Sequence, residues 1–175
     1  MTGIQPLSIR PIEAEDYSVW RALWVGYIDY YETSLSDAVI DTAFERLMSD
    51  DPTTFQGRLA LRDGQALGLV HYVFHPHMWR VEPVCYLQDL YTSPEARGQG
   101  VARALIQAVY DAADAVYAPR VYWLTQEFNY KGRMLYDQVG TKTPFILYDR
   151  PPKLGAVWSW LRRLRLRPAR PSFRR

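Results

Sequence analysis

Only one cysteine, Cys85, occurs in the 175 residues. No disulfide can form within the chain, which suits a reducing compartment. No run approaches the ~20 consecutive apolar residues that a membrane span requires. Met1 to Pro11 lack the basic-then-apolar order of a secretion signal, so the chain reads as cytoplasmic. Internal repeats are absent. Acidic residues are missing from the end of the chain: from Lys153 onward there are eight cations (Lys153, Arg162, Arg163, Arg165, Arg167, Arg170, Arg174, Arg175) and no carboxylate. The remainder holds 13 basic and 19 acidic residues, a net of −6 against +2 for the whole chain. An acidic body of residues 1–152 and a basic extension of residues 153–175 are therefore separate electrostatic objects. What is abundant is apolar: 48% hydrophobic and 14% aromatic residues are enough for one packed domain.

The periodicity changes along the body. Leu7 to Arg10 reads as a strand closed by Pro11. An acidic turn, Glu13 to Asp16, then opens an amphipathic helix carrying Val19, Trp20, Leu23, Trp24, Tyr27, Ile28 and Tyr31. A second helix starts at Ser36-Asp37 and runs to about Met48. Arg58 to Arg62 and Ala66 to His75 are strands joined by the Asp63-Gly64 turn. Val84 to Thr92 follows as a strand entered through Pro83. Past Pro94, a helix puts Val101, Leu105, Ala108, Ala112 and Val116 on one stripe. Val121 to Thr125 is a strand, Asn129 to Val139 a helix ended by Gly140, and Phe145 to Tyr148 a closing strand. The order β-α-α-β-β-β-α-β-α-β predicts an α/β (α+β) domain with a mixed central sheet flanked by helices. In the extension, Leu154, Val157, Trp158, Leu161 and Leu164 share a helical face opposite arginines. That pattern fits a loosely ordered basic segment, a contact with a membrane surface or nucleic acid, or docking on a partner.

Arg97-Gly98-Gln99-Gly100-Val101-Ala102 lies between a strand and a helix. A small-residue loop at a helix N-terminus favours an anion such as a pyrophosphate. A dinucleotide fingerprint would need a small residue where Arg103 stands, and no P-loop spelling occurs. The run from Leu87 to Ile106 resembles motif A of the GNAT superfamily of N-acetyltransferases, with Arg97, Gly100 and Ala102 in the slots of its [Q/R]-x-x-G-x-[G/A] core. Val121 to Gly140 is similar to motif B. The wording Y-W-x-T…N…R-x-L-Y-D…G is closest to the fungal histone and D-amino-acid acetyltransferases and their bacterial relatives. The resemblance covers residues 7 to 150.

The resemblance implies the GNAT acyl-CoA N-acyltransferase fold and acetyl-CoA as co-substrate, with no metal. The backbone of Leu90, Tyr91 and Thr92 would pair with the pantetheine arm in a splay between Val84–Thr92 and Val121–Thr125, and an N–H there would meet the thioester carbonyl. Arg97, Gly98, Gln99, Gly100, Val101 and Ala102 would cradle the pyrophosphate. Asn129, Arg133 and Tyr136 are spaced to share a helix face; by the resemblance Asn129 would hydrogen-bond the CoA arm, Tyr136 would protonate the departing thiolate, and Arg133 would bind the cofactor or stand as a solvated charge. A phenol of pKa ~10 holds its proton where a thiol of ~8.5 has begun to lose it.

An attacking ammonium of pKa ~10 must lose a proton first. Family members with Glu on this strand use it as a base, but this chain has Gln88-Asp89. Gln88 cannot accept a proton, and Asp89 alternates to the opposite face. The base is Asp89 or a water chain to another residue. Tyr27, Tyr31 and Gln88 are candidates for the acceptor site. Cys85 reads as a buried structural thiol, which favours direct transfer in a ternary complex. His71 and His75 point the same way but stand about 13 Å apart along a strand, too far to share a metal ion. The expected reaction is acetyl transfer to a primary amine, and the acidic body favours a small cationic amine (polyamine or amino acid) or a basic peptide. A protein lysine or N-terminal acetyltransferase and a non-catalytic acyl-CoA-binding module are the alternatives. The family also includes homodimers.

Overall fold

The computed structural model describes residues 6–150; the basic extension and its helical pattern lie outside these residues. Five strands stand in sequence order across one sheet: β1 (Ser8–Pro11), β2 (Gln56–Arg62), β3 (Gln65–His75), β4 (Val84–Thr92) and β5 (Val121–Tyr122). The first three junctions are antiparallel, and β4 pairs β5 in parallel. Helices α1 (Tyr17–Tyr30) and α2 (Asp37–Leu47) come between β1 and β2. Helix α3 (Val101–Ala115) forms the crossover from β4 to β5, and α4 (Tyr130–Val139) follows β5.

Alternation along the strands feeds two cores, one on each side of the sheet. Leu59 of β2 and Leu69 of β3 join Trp20, Leu23 and Trp24 of α1 and Ile40 of α2. On the other face, Ala60, Val70, Tyr72, Phe74, Cys85 and Leu87 meet Val101, Leu105, Ile106 and Val109 of α3, with Leu135, Tyr136 and Val139 of α4 packed against them. This is a three-layer domain with the sheet in the middle. Near the centre, β3 and α3 approach closely at Gly68. A Cβ there would meet the Tyr91 carbonyl oxygen at 2.4 Å and Val101 Cγ1 at 3.0 Å.

Three expectations are corrected. Phe145 to Tyr148 forms no strand: the stretch is irregular and its side chains are 67–85% exposed. Four apolar residues in a row supply strand propensity, but a strand also needs a ladder partner for its N–H and C=O groups. The neighbouring β5 offers little edge, because it ends at Tyr122 instead of reaching Thr125. The β4 strand also departs from strict alternation. His71 pairs with Asp89 while Tyr72 pairs with Leu87, which leaves Gln88 as the extra residue of a β-bulge. Leu87 and Leu90 consequently both face the α3 core.

Candidate active site

The shortness of β5 creates the site. Only Cys85 and Tyr86 of β4 pair with β5. From Leu87 onward the two strands part, and among the described residues no strand pairs with β4 on that side. A cavity of about 650 Å³ opens in this splay, within the usual range for ligand sites. Its β4 wall holds Leu87, Gln88, Leu90, Tyr91 and Thr92. Across from them stand Trp123, Leu124, Thr125 and Asn129, with Met134, Leu135 and Tyr136 of α4.

One end of the cavity is the glycine loop. Gly98 and Gly100 have φ of +74° and +83°, values that exclude most side chains on backbone grounds alone. A Cβ at either position would meet no protein atom within 4 Å, so backbone conformation, not crowding by the protein, requires glycine here. Gly100 caps α3, and the first N–H groups of that helix have no intrahelical acceptor and lie at the positive end of its dipole. Gly98, Gly100, Val101, Ala102, Arg97 and Arg103 line the cavity. Gln99 does not. Its amide donates to the Glu95 carbonyl at 2.9 Å and its oxygen accepts from Arg62 at 2.6 Å, so it braces the loop from behind. An exposed β4 edge, a φ-restricted loop and a free helix N-terminus fit an extended amide-bearing arm ending in phosphates.

The other end is aromatic. Tyr27 and Tyr30 of α1 and Tyr31, which caps it, line this end with Tyr91 and Tyr136. Tyr27 packs edge-on to Tyr31 and Tyr91 at 5.1 and 6.2 Å. Burial raises the pKa of Tyr136 to about 12, and its ring lies 5.5 Å from that of Trp123. Desolvation is also the main cause raising Tyr27 and Tyr31. Tyr27, Tyr31 and Tyr136 therefore keep their protons at neutral pH.

The other sequence candidates divide between the cleft and its supports. Asn129 reaches the cavity but also caps α4: its Oδ1 accepts from Gly132 N–H at 3.1 Å, and its Nδ2 donates to Thr125 at 3.0 Å. Arg133 does not line the cavity; its guanidinium donates to the Glu127 carbonyl at 2.6 Å. Gln88 is exposed at the mouth. Asp89 is buried behind the tyrosines, with Oδ2 2.9 Å from His71 Nδ1. Cys85 is fully buried, and desolvation raises its thiol to about 12. His75 bonds Tyr122 at 2.9 Å, far in role from His71. Sequence reasoning does not single out Tyr30 or Lys131 as cleft residues, or His71 as a partner of Asp89. Tyr30 lies just off the apolar stripe of its helix, and the His71 contact depends on strand register.

The chain is similar to known proteins over most of its length. The acetyltransferase (GNAT) family matches residues 17–141. The D-amino-acid N-acetyltransferase HPA3 of Saccharomyces cerevisiae is 39% identical over 145 residues, covering 81% of this chain and 89% of the yeast protein. Among solved structures, a ribosomal-protein-alanine N-acetyltransferase from Brucella melitensis superimposes with a TM-score of 0.69 at 20% identity, over 84% of this chain and 99% of that one. AAC(6')-Iy in complex with a bisubstrate analogue gives 0.72 at 21% identity, over 85% and 99%. The chain belongs to the GNAT family. It is an acetyl-CoA-dependent N-acetyltransferase, and acetyl-CoA is its co-substrate.

Proposed function

We propose that this enzyme acetylates the amine of a free amino acid, by direct attack within a ternary complex. The carrying observation is the charge of the cleft. Its lining, among the described residues, includes Arg97, Arg103 and Lys131 but no carboxylate. Arg97 and Arg103 stand at the phosphate end, so Lys131 is the lining cation left for a zwitterion's carboxylate, and tyrosine rings would meet its ammonium. The second ammonium of a polyamine would find no counter-charge, so the cleft favours amino acids over the polyamines that the acidic body alone suggests. The D-amino-acid activity named for the yeast relative supports the same acceptor class.

In this reading the loop from Arg97 to Ala102 holds the pyrophosphate, with Gln99 as its brace, while Leu90, Tyr91 and Thr92 pair with the pantetheine arm through the free β4 edge. The bulge at Gln88 frees backbone N–H groups where the thioester carbonyl gains charge. Asn129 contributes from the α4 cap. Arg133 serves indirectly, by fixing the loop before α4. Tyr136 faces the departing sulfur as a hydrogen-bond donor. Burial disfavours ionisation of the Tyr136 phenol. Tyr136 therefore stabilises the sulfur as it leaves, and the proton the thiol finally carries originates on the amine. Cys85, buried with its proton held, forms no acyl intermediate.

The test is release of free thiol from acetyl-CoA across L- and D-amino acids, polyamines and basic peptides. Amino acids should give kcat/KM at least tenfold above spermidine. Faster turnover of a polyamine or a peptide would overturn the acceptor assignment.

A further inference from the structure

Three elements meet at one buried imidazole, that of His71 on β3. Trp20 of α1 is fully buried, and its indole Nε1–H donates to His71 Nε2 at 2.8 Å. An indole N–H only donates, so His71 Nε2 is the unprotonated ring nitrogen. The ring's proton is then on Nδ1, which faces Asp89 Oδ2 of β4 at 2.9 Å. The hydrogen bonds run in one direction, from Trp20 through His71 to Asp89. His71 is 4% and Asp89 8% exposed, so water cannot readily replace either partner. The rings of Trp20 and Trp24 both pack on the imidazole at 6.0 Å, Trp24 edge-on. On the neighbouring strand, β2 sets Gly57 opposite His71. A Cβ at Gly57 would come within 3.2 Å of His71 Cδ2, so glycine keeps that space for the ring.

Where this chain lies along the strands gives it a further consequence. His71 and Asp89 are the cross-strand pair next to the β-bulge: the register shifts between His71 and Tyr72, and Gln88 is the residue left over. The two halves of β4 are therefore out of phase. Cys85 and Leu87 face the α3 core before the bulge, and Leu90 faces it after. Carrying the Tyr72–Leu87 phase straight on would set Asp89 opposite Val70, on the α3 side. A carboxylate would then enter the apolar core that Val70 shares with Leu105 and Ile106, with no counter-group. Carrying the His71–Asp89 phase back would turn Cys85 and Leu87 out of that core instead. Apolar burial thus holds one half of β4, the bond from His71 holds the other, and Gln88 is the residue that absorbs the difference.

We propose that Trp20, His71 and Asp89 are positioning residues for the transfer step, fixing the β4 bulge, and that Asp89 serves there as a hydrogen-bond acceptor and not as the base. The inference rests on the reading above, in which N–H groups freed at the bulge meet the thioester carbonyl as it gains charge. Such donors act through their placement, and a shift of ~1 Å costs on the order of 100-fold in rate. Among the described residues no strand pairs with β4 on the cleft side beyond Tyr86. Placement of the bulge must therefore come from β3 and from what stands behind it. The same chain joins β4 to α1, whose Tyr27 and Tyr30 line the acceptor end, so one buried contact sets both walls of the cleft.

The test uses the full-length enzyme and three variants. Asp89→Ala removes the acceptor. Asp89→Asn keeps an acceptor without charge or basicity. Trp20→Phe removes the donor that sets the tautomer and keeps an aromatic ring. Asp89→Ala should lose ~100-fold in kcat while CoA binding by calorimetry and KM for acetyl-CoA stay close to the parent. Asp89→Asn should recover most of that loss, to within ~5-fold of the parent, because a neutral carbonyl still accepts from Nδ1–H and loses only charge assistance. Trp20→Phe should lower kcat several-fold. Nitrogen NMR of the imidazole reads the chain without turnover: His71 should be the Nδ1–H tautomer in the parent and in Asp89→Asn, and a mixture of tautomers in Trp20→Phe. A loss of ~100-fold in Asp89→Asn as well would overturn the proposal, since the reaction would then use the carboxylate's charge or basicity. So would an Nε2–H tautomer in the parent, or a loss that appears in KM for acetyl-CoA and not in kcat. If the parent shows the Nδ1–H tautomer and yet acetylates no amine, the reading beneath fails and takes this inference with it. Should Asp89→Ala fail to fold, kcat of Asp89→Asn and the tautomer of the parent decide the matter.

Discussion

Tyr136 occupies a position with two demands on it. Its ring fills the space beside Trp123 and Leu135 in the α3-side core, and the residue also lines the cleft. Phenylalanine would satisfy the first demand and not the second. Tyr136→Phe should bind CoA as tightly as the parent and melt within a few degrees of it, while kcat falls ~10- to 100-fold. Pre-steady-state thiol release alongside calorimetric CoA titration separates the two effects, and an unchanged kcat would remove Tyr136 from the chemistry. The same double use recurs at Asn129, whose amide caps α4 while facing the cleft. The motif spelling marks both residues, because family motifs preserve residue types at fixed spacing. It does not distinguish a residue that touches ligand from one that holds its neighbour. Gln99 and Arg133 lie in the same motifs, and both turn to backbone carbonyls.

At the scale of elements, the site depends on where α3 begins relative to β4, and Gly68 controls that distance. A methyl group at Gly68 would press on the Tyr91 carbonyl at 2.4 Å, a backbone atom of the adjoining strand, and on Val101 at the first turn of α3. Neither can swing aside as a long side chain would. Gly68→Ala should cost about 1–3 kcal/mol of stability, read from urea unfolding. It should also raise KM for acetyl-CoA several-fold, because the helix N-terminus moves away from the β4 edge; a neutral substitution would show that the contact relaxes locally. Local pattern made most of these elements legible. Val84–Thr92 runs as its sequence predicts, bounded by Pro83 and Pro94, and α4 begins beside its Asn129 cap. The misread parts depend on a partner strand. Phe145 to Tyr148 has a strand's composition but no ladder, β5 stops at Tyr122, and the bulge at Gln88 has no glycine or proline to announce it. Pairing across β3 and β4 brings His71 to Asp89, and register of that kind is not written in either strand alone.

Across the whole domain, burial has placed several groups with high pKa where ionisation is costly, and this sets the direction of its pH response. Desolvation raises Cys85 from 9.0 to about 12 and Tyr136 from 10.0 to about 12, and raises Tyr27 and Tyr72 as well. Below pH ~8 these groups are protonated in both the folded and the unfolded chain, so they leave stability independent of pH. Above pH ~9 the unfolded chain begins to lose protons that the folded one retains. The folded state then binds more protons, and the linkage relation makes stability fall as pH rises. For Cys85 and Tyr136 the loss should continue to about pH 12, where the folded groups titrate in turn. On the acid side, the hydrogen bond and charge of Arg10 hold Asp16 below the usual carboxylate range. That contribution is present above pH ~4 and is lost below it, and it is small because the pair lies near the surface. Urea unfolding midpoints should therefore be level between about pH 5 and 8 and decline between 9 and 11. Each buried group contributes at most ~1.4 kcal/mol per pH unit to that decline. Cys85→Ala will start from a lower midpoint, since it empties part of the core, but its alkaline slope should be shallower by one group's share. A midpoint that holds or rises above pH 9 would mean that the buried thiol and phenols gain access to water without unfolding, and the closed α3-side core described here would be wrong.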